Sequence, residues 1–296
     1  MRVTGNMQYT SLLSNLRSTT TDIYDWQNKL SSGQKINKPS DDPVGISYVM
    51  RYDTELSRSD RYLTNAQTGS GILNTMDSVM QQADDLLKRT HTLTLQAQND
   101  TMTDEERKTI AAEIKQIREQ MVLLGNSTYN GRYLFNGQKT DQKPYSNENA
   151  ANETTDSGVY QLNVSSLVQV PVSISGEKIF GEAGSDSNVF KVLDDLIGHL
   201  ENGESESLGD DVTKILSASD NFSLQRAEIG ARTNRFTLME DRISDNIVNL
   251  KSLRSETTDV DYAEAITSLK LKQNVYQAAL STGSQIMSVS LIDFMR

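Results

Sequence analysis

Two histidines, no cysteine and a scatter of adjacent aspartates are the residues from which this chain could build chemistry. His91 and His199 lie far apart in sequence. Neither has a second histidine three or four residues on, the spacing that puts two imidazoles on one helical face for a metal. Both read as surface or rim histidines. The absence of cysteine removes disulfides, thiolate nucleophiles and Cys-based zinc sites together. Asp41-Asp42, Asp84-Asp85, Asp194-Asp195 and Asp210-Asp211 are acid pairs, but adjacent residues of a helix do not face each other. Dipole complementation and solvation account for them better than acid–base work. Asp259 and Asp261 lack the loop glycine and distal glutamate of a calcium loop. Gly69 and Gly71, in Thr68-Gly69-Ser70-Gly71, do not follow a strand and make a poor phosphate cradle. The residues therefore read as those of a protein that is not an enzyme, with no metal or cofactor site.

Charge and composition narrow the partners. The chain carries 40 acids and 29 bases, a net charge of -11. Residues 186–211 hold eight acids and one base, whereas both ends are close to neutral. An acidic chain without a basic stripe is a poor binder of nucleic acid. No apolar run approaches the roughly 18 residues of a membrane span. The polar start, rich in Thr, Ser, Asn and Gln, is not expected to act as a cleaved secretory signal.

With chemistry set aside, the informative pattern is a seven-residue repeat. Tyr9, Leu16, Ile23 and Leu30 recur every seventh position near the start. Ile266, Leu280, Met287 and Phe294 share one such ladder near the finish, with Gln273 interrupting it and Leu269 and Tyr276 beside it. The longest ladder is Ile215, Phe222, Ile229, Phe236, Ile243 and Leu250. Apolar residues at this spacing make a narrow seam that needs another helix.

The elements follow from caps and periodicity. A first helix is predicted from about Thr4 to Leu30, ending at Gly33. Asp42 reads as an N-cap with Pro43 at the first helical position of a long helix to about Asn99. Thr103 and Glu106 form a capping box for the next helix, which stops at Gly125. Tyr133 to Phe135, Val159 to Val164 and Val168 to Ile174 read as short strands among turn signals. Ser187 is expected to open a helix ending near Leu200, and Glu201 to Gly209 to form a loop. A helix from about Asp211 to Arg254 is expected to lie antiparallel to the 43–99 helix, with Gly230 inside it explained by close packing. Asp261 and Glu264 cap a last helix from 262.

The expected fold class is mainly α: a long antiparallel helical rod, a coiled coil or bundle formed by both chain flanks, with a small inserted β domain. Residues 1–42 and 256–296 are the terminal coiled-coil assembly domain, 43–137 and 186–255 the helical rod domain, and 138–185 the small β-rich outer domain. The terminal ladders allow two readings. One is an intramolecular coiled coil. The other is a surface completed by neighbouring copies, favoured by the interruptions at Thr20, Gln273 and Gly283, by the small area two helices bury, and by the uncharged outer faces. On the second reading these ends are largely disordered in the free chain and fold as paired helices within an assembly.

Specific motifs add a resemblance. Ser31-Ser32-Gly33-Gln34-Lys35-Ile36-Asn37 with Pro39-Ser40-Asp41-Asp42-Pro43 resembles the loop after the first helix of bacterial flagellins. Leu95 to Ile117 resembles the flagellin turn between its two N-terminal rod helices, and Asn130 to Gly137 continues it. Gly230-Ala231-Arg232-Thr233-Asn234-Arg235 and the stretch from Tyr276 to Ile292 match on the C-terminal flank. The match skips roughly residues 140–185. The Lys38-Pro39-Ser40-Asp41-Asp42-Pro43 segment and the ending Ser290 to Arg296 look more like the hook–filament junction branch, the third hook-associated proteins, than like filament flagellins. The resemblance implies a structural subunit of the bacterial flagellum, extracellular and exported through the flagellar type III apparatus. The implied partners are further copies of the chain, the first hook-associated protein, flagellin and a cytosolic export chaperone, without nucleic acid or membrane. A short filament flagellin is the alternative.

Overall fold

A computed structural model describes residues 5–99 and 101–294, with side chains described for 7–99 and 101–285. The chain is mainly α, with helices α1 (Gly5–Ser32), α2 (Pro43–Ala97), α3 (Asp104–Gly125), α4 (Gly176–Phe180), α5 (Val189–Asn202), α6 (Leu208–Thr258) and α7 (Tyr262–Phe294). A small β insertion holds two antiparallel hairpins, β1 (Thr128–Tyr129) with β2 (Arg132–Tyr133) and β3 (Gln161–Asn163) with β4 (Gln169–Pro171). The fold divides into two compact units, Met1–Arg58 with Asn246–Arg296 and Ser59–Asp245, and α2 and α6 contribute to both.

In the second unit α2 and α6 run antiparallel. The Phe236 ring lies where a side chain at Gly69 would be, Asp77 pairs with Arg226 at 2.9 Å, and Ser219 donates to Asp84 at 2.7 Å. The α6 seam is fully inside: Phe222, Ile229 and Phe236 are 0% exposed. Each such side chain contributes roughly 1.5–3 kcal/mol by leaving water. From α2, Leu73, Met76, Met80 and Leu87 join this core, and Ile110, Ile114, Ile117 and Met121 do so from α3. The α2–α3 turn is fixed by the Thr103–Glu106 capping box and by Arg107, whose Nε donates to the Ala97 carbonyl left over at the end of α2.

Inserted residues share this core. Phe180 stands at the centre of an aromatic cluster, 5.7 Å from Phe135, 5.5 Å from Tyr145, 5.2 Å from Phe190 and 5.6 Å from Phe222, measured between ring centroids. Edge-on and offset rings at these distances add to simple burial. Burial pushes the Tyr145 phenol well above its ordinary range.

Several expectations need correction. The strands are shorter than alternation suggests, because β3 and β4 pair over only three residues each. Leu134 and Phe135 do not continue β2 but turn inward and are buried. Asn188, not Ser187, caps α5: its side-chain oxygen accepts from the Phe190 and Lys191 amides. The loop before α6 ends at Ser207, where a short 3-10 turn passes into the helix. Three of the acid pairs are not merely solvated. Asp84 and Asp211 are buried, Asp84 held by Lys88 and Ser219 and Asp211 by His199 Nδ1 at 2.7 Å. Asp194 receives Arg118 Nη2 at 3.0 Å. Gly230 is exposed, and a Cβ there would meet nothing within 4 Å, so packing inside the chain does not explain it. Gly69 and Gly71 do have such a reason, since Phe236 and Tyr129 press against them.

The first unit is built differently. Helices α1 and α7 pack antiparallel, with Lys272 Nζ 2.7 Å from Asp22 and Leu12 seated against Gly283. Residues 33–36 clasp the end of α6: Lys35 N donates to the Thr258 carbonyl and Val260 N to that of Gly33. Asp53 of α2 pairs with Arg254 of α6. Many hydroxyls on these helices close on their own backbone. Thr19, Thr20, Thr21, Thr54, Thr267 and Thr282 each donate to the carbonyl four residues earlier.

Candidate assembly surface

Local sequence sets the exit of α1 and the entries of α2 and α7. Gly33, at φ 71°, takes the left-handed geometry that ends α1, and a Cβ there would sit 2.9 Å from the Tyr262 hydroxyl. The Asp41 carboxylate accepts from the Asn37 and Lys38 amides at 3.0 and 2.8 Å. Those backbone donors, Lys38 first, hold its carboxyl below the usual range. Asp42 caps α2 through the Val44 and Gly45 amides, and Asp261 caps α7 through those of Ala263 and Glu264.

The terminal ladder residues fall into two sets. Leu16, Ile23 and Leu30 on α1, with Leu269 and Tyr276 on α7, are half-buried. They lie on the same stripes as the contacts that join the two helices. Tyr9, Ile266 and Leu280 are 43%, 50% and 46% exposed. Met287 and Phe294 lie outside the residues whose side chains are described. Of the longest ladder, Ile215, Phe222, Ile229, Phe236 and Ile243 are buried in the second unit, whereas Leu250 is half-buried and belongs to the first.

Helix α7 is apolar on more sides than one partner can cover. The inner stripe runs through Ala265, Leu269, Tyr276 and Gly283. At about 100° per residue, Tyr262, Ile266 and Leu280 lie roughly 45–85° to one side of it, and Leu271 and Val275 roughly 95–135° to the other. All five are exposed. A helix with apolar residues round most of its circumference is normally an interior element. On the other helices of this unit Tyr24, Val44, Tyr48, Met50, Val248 and Leu253 are also exposed. Of these, Leu253 stands three residues after Leu250 of the α6 ladder, whereas the ladder reading did not include the other five. The one available signal was local pairing, as in Tyr48 and Tyr52 at i, i+4, whose rings stack at 6.5 Å.

Such a surface offers apolar area beside hydroxyl and amide groups, suited to helical partners. Among the described residues no helix is long and apolar enough to cross a membrane.

The family models agree with this layout. The bacterial flagellin N-terminal helical region matches residues 3–140 and the bacterial flagellin C-terminal helical region matches residues 212–295, together roughly three quarters of the chain. The chain is 26% identical to flagellar hook-associated protein 3 of Salmonella typhimurium over 318 residues, covering 100% of both chains. It is 25% identical to the Escherichia coli protein of the same name, covering 98% of each. Among solved structures, a flagellar hook-associated protein from Vibrio parahaemolyticus superposes with a TM-score of 0.67 at 24% identity, over 74% of this chain and 100% of that one. With both terminal helical regions matched in their proper order, the chain belongs to the bacterial flagellin family.

Proposed function

We propose that this chain is a structural subunit of the bacterial flagellum that joins the hook to the filament. Its terminal helices bury their outward apolar faces against neighbouring copies, against the first hook-associated protein on the hook side and against flagellin on the filament side. The role is mechanical and needs no catalysis or cofactor. The chain works outside the cell, exported through the flagellar type III channel with a cytosolic chaperone. The observation that carries the reading is the pair α1–α7, whose apolar residues are turned outward as well as inward. The likeness to hook-associated protein 3 along the full length supports the junction rather than another flagellar position.

A short filament flagellin is the second reading, favoured by 25% identity to Bacillus subtilis flagellin over 97% of this chain. A deletion strain separates the two. The junction role predicts hooks without filaments and flagellin released into the medium. A strain that releases no flagellin, because this chain is itself the filament subunit, would replace the first reading by the second.

A further inference from the structure

The second unit holds a cavity of about 240 Å³ between α2 and the two hairpins. Its floor is apolar, made by Ile72 and Met76 of α2, Leu134 after β2 and Val172 after β4. Tyr129, Tyr133 and Tyr160 stand in its wall. Tyr129 reaches this position because α2 carries no side chain at Gly71, where a Cβ would come within 2.6 Å of its hydroxyl. No hydroxyl of the three has a hydrogen-bond partner among the described residues. Arg132 lies at the same cavity, exposed, and its guanidinium has no ion pair among the described residues.

No carboxylate lines this cavity, although the chain carries 40 acids. The groove between α4 and α6 is the opposite case: there Glu177, Glu182, Asp186 and Asp210 face Lys214 as the one lining cation. The cavity at Arg132 is therefore an apolar-floored site lined by one cation on an acidic protein, with the Asp156 carboxylate beside Gly137 accepting from the Gln138 amide. Its volume is below the 300–1,000 Å³ usual for drug-sized ligands, which limits an occupant to about a dozen heavy atoms.

We propose that this cavity binds a small molecule with a compact apolar body, aromatic or branched, that bears one carboxylate. The body rests on Ile72, Met76, Leu134 and Val172, where it leaves water. The carboxylate meets the Arg132 guanidinium, whose fork matches it in two parallel hydrogen bonds, and the unpartnered tyrosine hydroxyls complete its shell.

The test uses the full chain with labelled isoleucine and methionine methyls, titrated with 3-phenylpropanoate and with its neutral amide. The expected result is binding of the acid with a dissociation constant of about 1 mM or tighter, as a ligand of this size allows. The Ile72 and Met76 methyl signals shift, and the amide binds about tenfold more weakly. Arg132→Gln, at an exposed position, lowers affinity for the acid about tenfold and leaves the amide unchanged. No shift at Ile72 and Met76, equal binding of acid and amide, or an R132Q variant that binds the acid as the parent does would each overturn the proposal.

Discussion

The two compact units spend their apolar residues in opposite ways. In Ser59–Asp245 the large side chains point inward: of the six fully buried phenylalanine and tyrosine rings among the described residues, five, Phe135, Tyr145, Phe180, Phe190 and Phe222, form one cluster around Phe180. In the terminal unit the buried apolar residues are Ile36, Val49, Ile247 and Ala265, among the described residues. Its larger apolar groups, Tyr24, Met50, Tyr262, Ile266 and Leu271, are half exposed or more. One unit closes its core by itself. The other has the residues for a core but lacks the walls. Conformational entropy of about 1–2 kcal/mol per ordered residue must be offset by burial, and two paired helices bury little. On the proposed reading, the difference separates what folds alone from what an assembly would complete.

Limited proteolysis of dilute protein gives the largest effect by which to break that comparison. Both terminal helices should be removed first, leaving a core of about residues 43–255. Equal resistance of ends and core would show that α1 and α7 are stable without neighbours. Phe236→Ala comes next, expected to cost roughly 3–5 kcal/mol in denaturant unfolding of the core. Ile266→Ala, on the exposed face of α7, should stay within about 0.5 kcal/mol in the free chain. Similar losses at the two sites would erase the distinction.

Smaller effects sharpen it. Gly69→Ala puts a methyl 2.6 Å from the Phe236 ring and should destabilise by about 1–3 kcal/mol, read as a lowered thermal midpoint. Gly230→Ala meets no neighbour in the chain and should stabilise the free protein by about 1 kcal/mol. Should that variant be more stable yet fail to restore motility to a deletion strain, a neighbouring subunit is what requires the glycine. The last effect concerns pH. Asp41 has its folded value held down, so its contribution is complete above the ordinary carboxylate value near about 4 and is lost as pH falls through the lower folded value. Amide signals of Asn37 and Lys38, followed from pH 5 to pH 2.5, should move in that acid window, and Asp41→Asn should abolish the change.

Much of the helical frame was legible because its signals are local. Pro43 after Asp42, the Thr103–Glu106 box and Asp261 before α7 each state a boundary within four residues, and the structure uses all three. Periodicity likewise announced the seam of α6. What sequence could not supply were partners brought together from afar. Asp84 and Ser219, Asp194 and Arg118, and Phe135 and Phe180 meet only after the chain has folded back. Periodicity also does not say which side of a helix will find a partner. It grouped Tyr9 with Leu16 and Ile266 with Leu280, yet Leu16 is half-buried while the other three are exposed. The hairpins were overestimated in length because alternation continues past the three residues that pair, into Val172 and Ile174, which are buried, Val172 keeping one further backbone bond to the Tyr160 carbonyl.

The threonines that close on their own helix carry a consequence for how such a subunit meets its neighbours. A polar surface normally resists drying, since each hydroxyl must surrender a water molecule and find a substitute. Thr19, Thr20, Thr21, Thr267 and Thr282 have already supplied that substitute from the carbonyl one turn back. Another helix can therefore meet these hydroxyls in several registers without stranding their donors. A lattice whose subunits must shift against one another as the structure bends would profit from a contact that is indifferent to small displacements.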